Sequence, residues 1–194
     1  MSPAYPELLI MRHGQTVWNR AGIMQGSRDS ELTGLGRSQA RELNGLLARA
    51  RLTPEHRAWV SPQGRAQATA GFALKGHFAA WTTDARLAEI HVGEFEGLTF
   101  EDAVRTHPAF ADRPGHIGWQ FHAPGGETYA QFRGRVQSWL DDLKQPAVVV
   151  SHGITSRVMR AVVLGLGEDE LGDLPGGQGI IHRVRDGRAD ILAP

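Results

Sequence analysis

The sequence predicts an α/β protein of three layers, with a mostly parallel central sheet between helices on both faces. Three observations carry this. Short continuous apolar runs recur at Leu8-Leu9-Ile10-Met11, Ala58-Trp59-Val60 and Ala147-Val148-Val149-Val150, the pattern of strands buried on both faces. Segments with apolar residues at helical spacing lie between and after them. Each run stops at polar residues, and sheets of this kind bind ligands outside the carboxyl ends of their strands.

The first strand ends in Arg12-His13-Gly14. Thr33 is suited to cap the helix that follows, in which Leu35, Leu43, Leu46, Leu47 and Ala50 share a face. Ala58-Trp59-Val60 closes on Ser61-Pro62, and the Ala-rich stretch to Leu74 predicts a helix with Pro62 near its first turn. From Thr128 to Leu143 the set Phe132, Val136, Trp139, Leu140 and Leu143 keeps the helix period until Pro146 breaks it. The run at 147–150 ends in Ser151-His152-Gly153 and feeds a helix with Ile154, Val158 and Val162 four apart. Ile180, Ile181 and Val184 before Asp186-Gly187 predict a final hairpin.

The chain has 194 residues, enough for one substantial core, and shows neither internal repeat nor second domain, so one domain over 1–194 is expected. A lid or insertion is expected around 99–126, where three histidines and several aromatics follow no sustained period; Glu101-Asp102 marks a helix start near Thr99. Basic and acidic residues balance at 21 each, which removes the long-range field that draws proteins to nucleic acid. No apolar run is long enough to span a bilayer, no secretory signal opens the chain and there is no cysteine, so a cytoplasmic location is expected. His107, His116 and His122 stand nine and six apart, spacings that give no short metal-ligand pair, and no metal is expected.

Phosphoryl transfer needs a nucleophile, cations around the phosphate oxygens and an acid for the leaving oxygen. A neutral imidazole can attack phosphorus and form a phosphohistidine that water then hydrolyses. Nearby arginines favour that neutral form and offset repulsion between the phosphate and the nucleophile. His13 is the candidate nucleophile, with Arg12 and Arg65 as the candidate cations. The tripeptide by itself is weak, because 19 Arg, 9 His and 24 Gly in 194 residues produce it by chance in roughly one chain in ten.

Its partners are what count. Leu9-Ile10-Met11-Arg12-His13-Gly14-Gln15-Thr16 resembles the opening signature of the histidine phosphatase superfamily, the phosphoglycerate-mutase-like proteins. Four further segments resemble the family in order: Trp18-Asn19 with Gln25-Gly26 and Asp29 to Thr33; Ser61 to Ala66 with Thr69-Ala70; Leu87 to Ile90 with Gly93 and Glu96-Gly97; and Val150 to Gly153 with Arg157. The resemblance implies the phosphoglycerate-mutase-like fold, phosphorylation of His13, and a phosphate surrounded by Arg12, Arg65 and His152. It implies that Glu89 is the acid, although Glu94 and Glu96 lie close. Asn19, Thr16, Gln25, Gly26 and Gly153 become candidates for phosphate or substrate contact, and no cofactor is implied.

Ile23 stands where many members carry an arginine, and Ala68 where a glutamine is common. No lysine occurs from Gly76 to Leu143, whereas mutase handling of a carboxylated, twice-phosphorylated intermediate calls for more cations. The expected function is therefore a cofactor-independent phosphatase acting on a small phosphorylated metabolite, with a phosphoglycerate mutase or a non-catalytic phospho-ligand-binding module as alternatives.

Overall fold

The computed structural model describes residues 5–110 and 117–194. Its centre is β1 (Leu8–Arg12), whose alternation divides the core into two layers. Leu8 and Ile10 join the cluster formed by α5 (Tyr129–Asp142) and α6 (Gly153–Leu164) on one face. Leu9 and Met11 join the other, against α2 (Gly34–Arg49) and α3 (Gly64–Ala73). All four side chains are buried, as a strand covered on both faces requires.

The described residues form a six-stranded sheet in the order β3-β2-β4-β1-β5-β6. The strands β3 (Thr82–Thr83), β2 (Arg57–Val60), β4 (Ala147–Ser151) and β1 run parallel. β5 (Ile181–Arg185) pairs antiparallel with β1 and turns into β6 (Arg188–Leu192). The expected hairpin is therefore present. Asp186 and Gly187 both have positive φ, 52° and 69°, the backbone shape that suits a two-residue turn between twisted strands.

Caps fix the helix starts, beginning with Thr16 on the short α1 (Val17–Arg20). Thr33 accepts from the Gly36 N–H and Thr128 from the Gln131 N–H; Thr99 accepts from the Asp102 N–H and so opens α4 (Phe100–Thr106) where the acidic pair predicts it. Two details differ from expectation. Leu35 is 54% exposed; the buried stripe of α2 contains Gly36, Ala40, Leu43 and Leu47, and Leu35 lies one step round the helix from it. Pro62 precedes α3, which begins at Gly64 after Gln63 as N-cap.

The register fixes the site. Arg12 pairs with Ser151 and Val60 with Val150. The His13 N–H donates to the Ser151 carbonyl and the Ser61 N–H to the Val150 carbonyl. Three strand ends thus deliver His13, Ser61 and His152 to one edge of the sheet. Behind them, Gly14 lies directly on the first turn of α2: a Cβ there would sit 2.2 Å from the Gly36 carbonyl oxygen, which is backbone. Gly14→Ala is expected to cost about 3 kcal/mol in a denaturant titration, because neither backbone can yield cheaply. Wild-type stability in this variant would contradict the close approach.

Candidate active site

A cavity of about 290 Å³ opens at these strand ends. Arg12, His13, Asn19, Gln25, Gly26, Arg65, Glu89, Gly153 and Arg157 supply its polar lining, and Ile23, Met24, Ile90, Val92, Ile117, Trp119 and Ile154 most of the rest. His152 lies beneath it, fully buried, with its ring centroid 5.2 Å from that of His13.

His13 is 2% exposed, and its Nδ1 lies 2.8 Å from the Gly14 carbonyl. A carbonyl only accepts, so Nδ1 carries the proton and Nε2 keeps its lone pair. Burial, then the charges of Arg12 and Arg65, hold the His13 pKa well below the ordinary histidine value. Burial does the same to His152, followed by Arg65, His13 and Arg12. Nε2 of His152 meets the Ser61 hydroxyl at 2.7 Å.

Arg65, 1% exposed, is fixed from behind. Its Nη1 donates to Asp29 at 3.0 Å and to the Arg28 carbonyl at 2.6 Å, and its Nη2 donates to the Gly26 carbonyl at 2.9 Å. Nε remains. Among the described residues, Arg65 Nε, Arg12 Nε and His152 Nδ1 are buried without a partner. Buried polar nitrogens are costly to leave unpaired, and here three of them belong to one group of side chains around the strand ends. The N-terminus of α6, with His152 at its N-cap position, adds its positive dipole end.

Glu89 is held by several donors. Its Oε1 accepts from the Thr155 N–H at 3.1 Å and hydroxyl at 3.0 Å, and Oε2 from the Ile154 N–H at 3.1 Å. Glu94 is exposed and pairs with His107. Glu96 is buried but turned to Ser27, which it contacts at 2.7 and 2.8 Å. Of the three nearby carboxylates, only Glu89 lines the cavity.

Thr16 does not line it. Its hydroxyl accepts from the Asn19 N–H, while Asn19 Oδ1 accepts from the Thr16 N–H at 3.2 Å, so Thr16 holds Asn19 in place. Asn19 Oδ1 also accepts from Gln178, whose Nε2 donates to the His13 carbonyl at 3.0 Å. Gln63, which carries no role in the motif reading, bridges two parts of the site: its Nε2 donates to the Gly26 carbonyl at 2.8 Å and its Oε1 accepts from the Glu89 N–H at 2.7 Å. Arg135 donates to the carbonyls of Ala88 and Glu89 from the other side. Gln63 sits between Ser61 and Arg65, so proximity could have flagged it; Gln178 is 165 residues from His13, and nothing local could.

Among the described residues no group of three or more His, Asp, Glu or Cys could hold a metal ion. His116 lies outside those residues. No helix among them is long and apolar enough to cross a membrane.

The sequence profile of the histidine phosphatase superfamily (branch 1) matches residues 8–189. The chain belongs to that superfamily. An acid phosphatase of Mycobacterium tuberculosis is 33% identical over 189 residues, covering 92% of this chain and 88% of the relative. A protein named probable phosphoglycerate mutase GpmB, from Enterobacter, is 33% identical over 171 residues, covering 82% and 75%. The solved structure of a mycobacterial glucosyl-3-phosphoglycerate phosphatase, complexed with VO3, superposes with a TM-score of 0.76 at 28% identity, over 97% of this chain and 100% of that one. This superfamily member shares the three-layer fold of its relatives, and those relatives carry both phosphatase and mutase names.

Two expected results follow from the geometry. Gln63→Leu keeps the volume and removes both bridges, so it is expected to lower kcat/KM for phosphate monoesters by about 10²-fold, the scale of a small misplacement of reacting groups. Unchanged kinetics would show that the bridge does not position the site. His13, His152 and His182 all have lowered pKa values in the folded protein, that of His182 to about 4. Below their ordinary value of about 6.5 the unfolded chain binds more protons than the folded one. Stability is then full above that pH and falls as pH drops toward 4, by up to about 1.4 kcal/mol per pH unit for each group. Denaturant titrations at pH 7, 6 and 5 test this, and a flat profile contradicts it.

Proposed function

We propose that the protein is a cofactor-independent phosphatase that hydrolyses a small phosphate monoester through a phosphohistidine at His13. The observation that carries the reading is the state of His13: neutral, with Nδ1 fixed as a donor and Nε2 unprotonated, in a cavity lined by Arg12 and Arg65. In the first step the Nε2 lone pair attacks phosphorus and the bond to the leaving oxygen breaks, with Glu89 supplying the proton. In the second, a water oxygen attacks phosphorus, the bond to Nε2 breaks and releases inorganic phosphate with the lone pair back on His13, and Glu89, now a carboxylate, takes the water proton. Arg12, Arg65 and His152 bind the phosphate oxygens through the nitrogens that lack protein partners. Asn19, Gln25, Gly26 and Gly153 border the same ligand, and Thr16 acts through Asn19. Of the segment 99–126, the described residues Ile117, Trp119 and Gln120 join the cavity wall, and these residues are assigned the part of a cover.

The mutase alternative is disfavoured by the lining. A second acidic group on the substrate would meet Ile23, Met24, Ile90, Val92 and Ile154 over much of the wall, with Arg157 as the cation beyond the phosphate pair. The deciding experiment assays a panel of phosphorylated metabolites with a chelator present. Release of inorganic phosphate faster than any isomerised product supports the reading. Isomerised phosphoglycerate appearing faster than free phosphate, or activity lost to the chelator, overturns it.

A further inference from the structure

A second, smaller cavity lies behind the first. Arg12, Ser156, Arg157, Arg160 and His182 line it, and at about 30 Å³ it has room for one or two particles the size of water. What distinguishes it is charge. Three guanidinium groups line it, yet no described acidic residue pairs with Arg157 or Arg160. Arg160 is 1% exposed, and its Nε donates to the Ser156 carbonyl at 3.1 Å and its Nη2 to the Pro175 carbonyl at 2.8 Å. Arg157 donates to the Leu174 carbonyl. These bonds leave further N–H donors on both guanidiniums. The Ser156 hydroxyl, also buried, has no partner among the described residues.

We propose that this cavity binds a single monatomic anion such as chloride. A buried cation without a counter-charge is strongly disfavoured, and two carbonyls supply only partial negative charge. An anion held between Arg157 and Arg160 supplies the rest and accepts from the Ser156 hydroxyl. The stress of the uncompensated cluster is visible in its members: burial and Arg157 lower the pKa of Arg160 to about 10, and burial, Arg160 and Arg157 lower that of His182 to about 4. The volume excludes a sugar or nucleotide phosphate, so the site is distinct from the substrate cavity although the two share Arg12, Gly153 and Arg157. Arg12 and Arg157 therefore border both cavities.

The test compares melting of the full chain in sodium chloride, sodium bromide and sodium gluconate at equal ionic strength, alongside crystals grown in bromide. The halides are expected to raise Tm over gluconate, logarithmically above the dissociation constant, by about 3–6 °C for each tenfold increase in concentration. The bromide anomalous map is expected to peak between Arg157 and Arg160. Arg160→Met is expected to lose the halide shift, and His13→Ala to keep it, which separates this site from the proposed catalysis. Equal melting in halide and gluconate overturns the proposal. So does a bromide peak confined to the larger cavity, and the map of the unaltered protein decides the matter even where Arg160→Met fails to fold.

Discussion

Replacing His13 with alanine is expected to lower kcat for every phosphate monoester substrate by about 10⁴-fold or more, the scale seen when a covalent nucleophile is removed. The size of the effect follows from the arrangement around the ring. The proposed phosphate contacts of Arg12 and Arg65 do not depend on the imidazole, so KM is expected to change far less than kcat. What is lost is the one nitrogen that, among the described residues lining the cavity, has an unprotonated lone pair directed by its neighbour, the Gly14 carbonyl 2.8 Å from Nδ1. The variant must be shown to melt cooperatively, since His13 is buried and its backbone N–H ties β1 to β4. That backbone bond survives the substitution, so folding is expected to survive too. Activity within tenfold of wild type in a folded His13→Ala protein would remove the nucleophile from the account.

Glu89→Gln is expected to lower kcat by about 10²- to 10⁴-fold on alkyl phosphates, the usual contribution of a positioned acid. On p-nitrophenyl phosphate, whose leaving group departs without a proton, the loss is expected to be small. This contrast is the informative readout, because a merely structural glutamate would affect both substrates alike. A structural cost accompanies it. Both carboxylate oxygens accept from N–H groups at the start of α6, Oε1 from Thr155 and Oε2 from Ile154. The amide NH₂ of glutamine must face one of those donors, at a cost of about 1–3 kcal/mol. A lower Tm with equal kinetic losses on both substrates would assign Glu89 to positioning alone.

The parts of this molecule legible in its sequence are those set by local chemistry. The strand ends at Arg12-His13, Ser61 and Ser151-His152 are written as apolar runs followed by polar residues, and the parallel register does the rest. The caps at Thr33, Thr99 and Thr128 and the turn at Asp186-Gly187 are equally local. Other features depend on what arrives from far along the chain. The exposure of Leu35 depends on the face of α2 that meets Gln15 and the sheet, which a list of leucines at helical spacing does not define. The two-residue strand β3 exists because β2 offers an open edge. Arg65 was readable as a cation near a strand end, but its fixation by Asp29 and the Gly26 carbonyl brings together segments 36 to 39 residues apart. Thr16 resembles a site residue by its place in the motif, yet its hydroxyl is spent on the Asn19 N–H. Among three close glutamates, only the turn of the chain after Leu87 decides that Glu89 lines the cavity while Glu96 turns to Ser27.

The most direct test of the central claim is to mix enzyme and substrate, quench within one turnover at alkaline pH, and locate the phosphoryl group by peptide mass spectrometry. Phosphate is expected on the His13 peptide, labile to acid, forming and decaying at rates consistent with kcat and absent from His13→Ala. Stoichiometric release of phosphate with no phosphorylated His13 at any quench time, or phosphate carried by His152 instead, would contradict it.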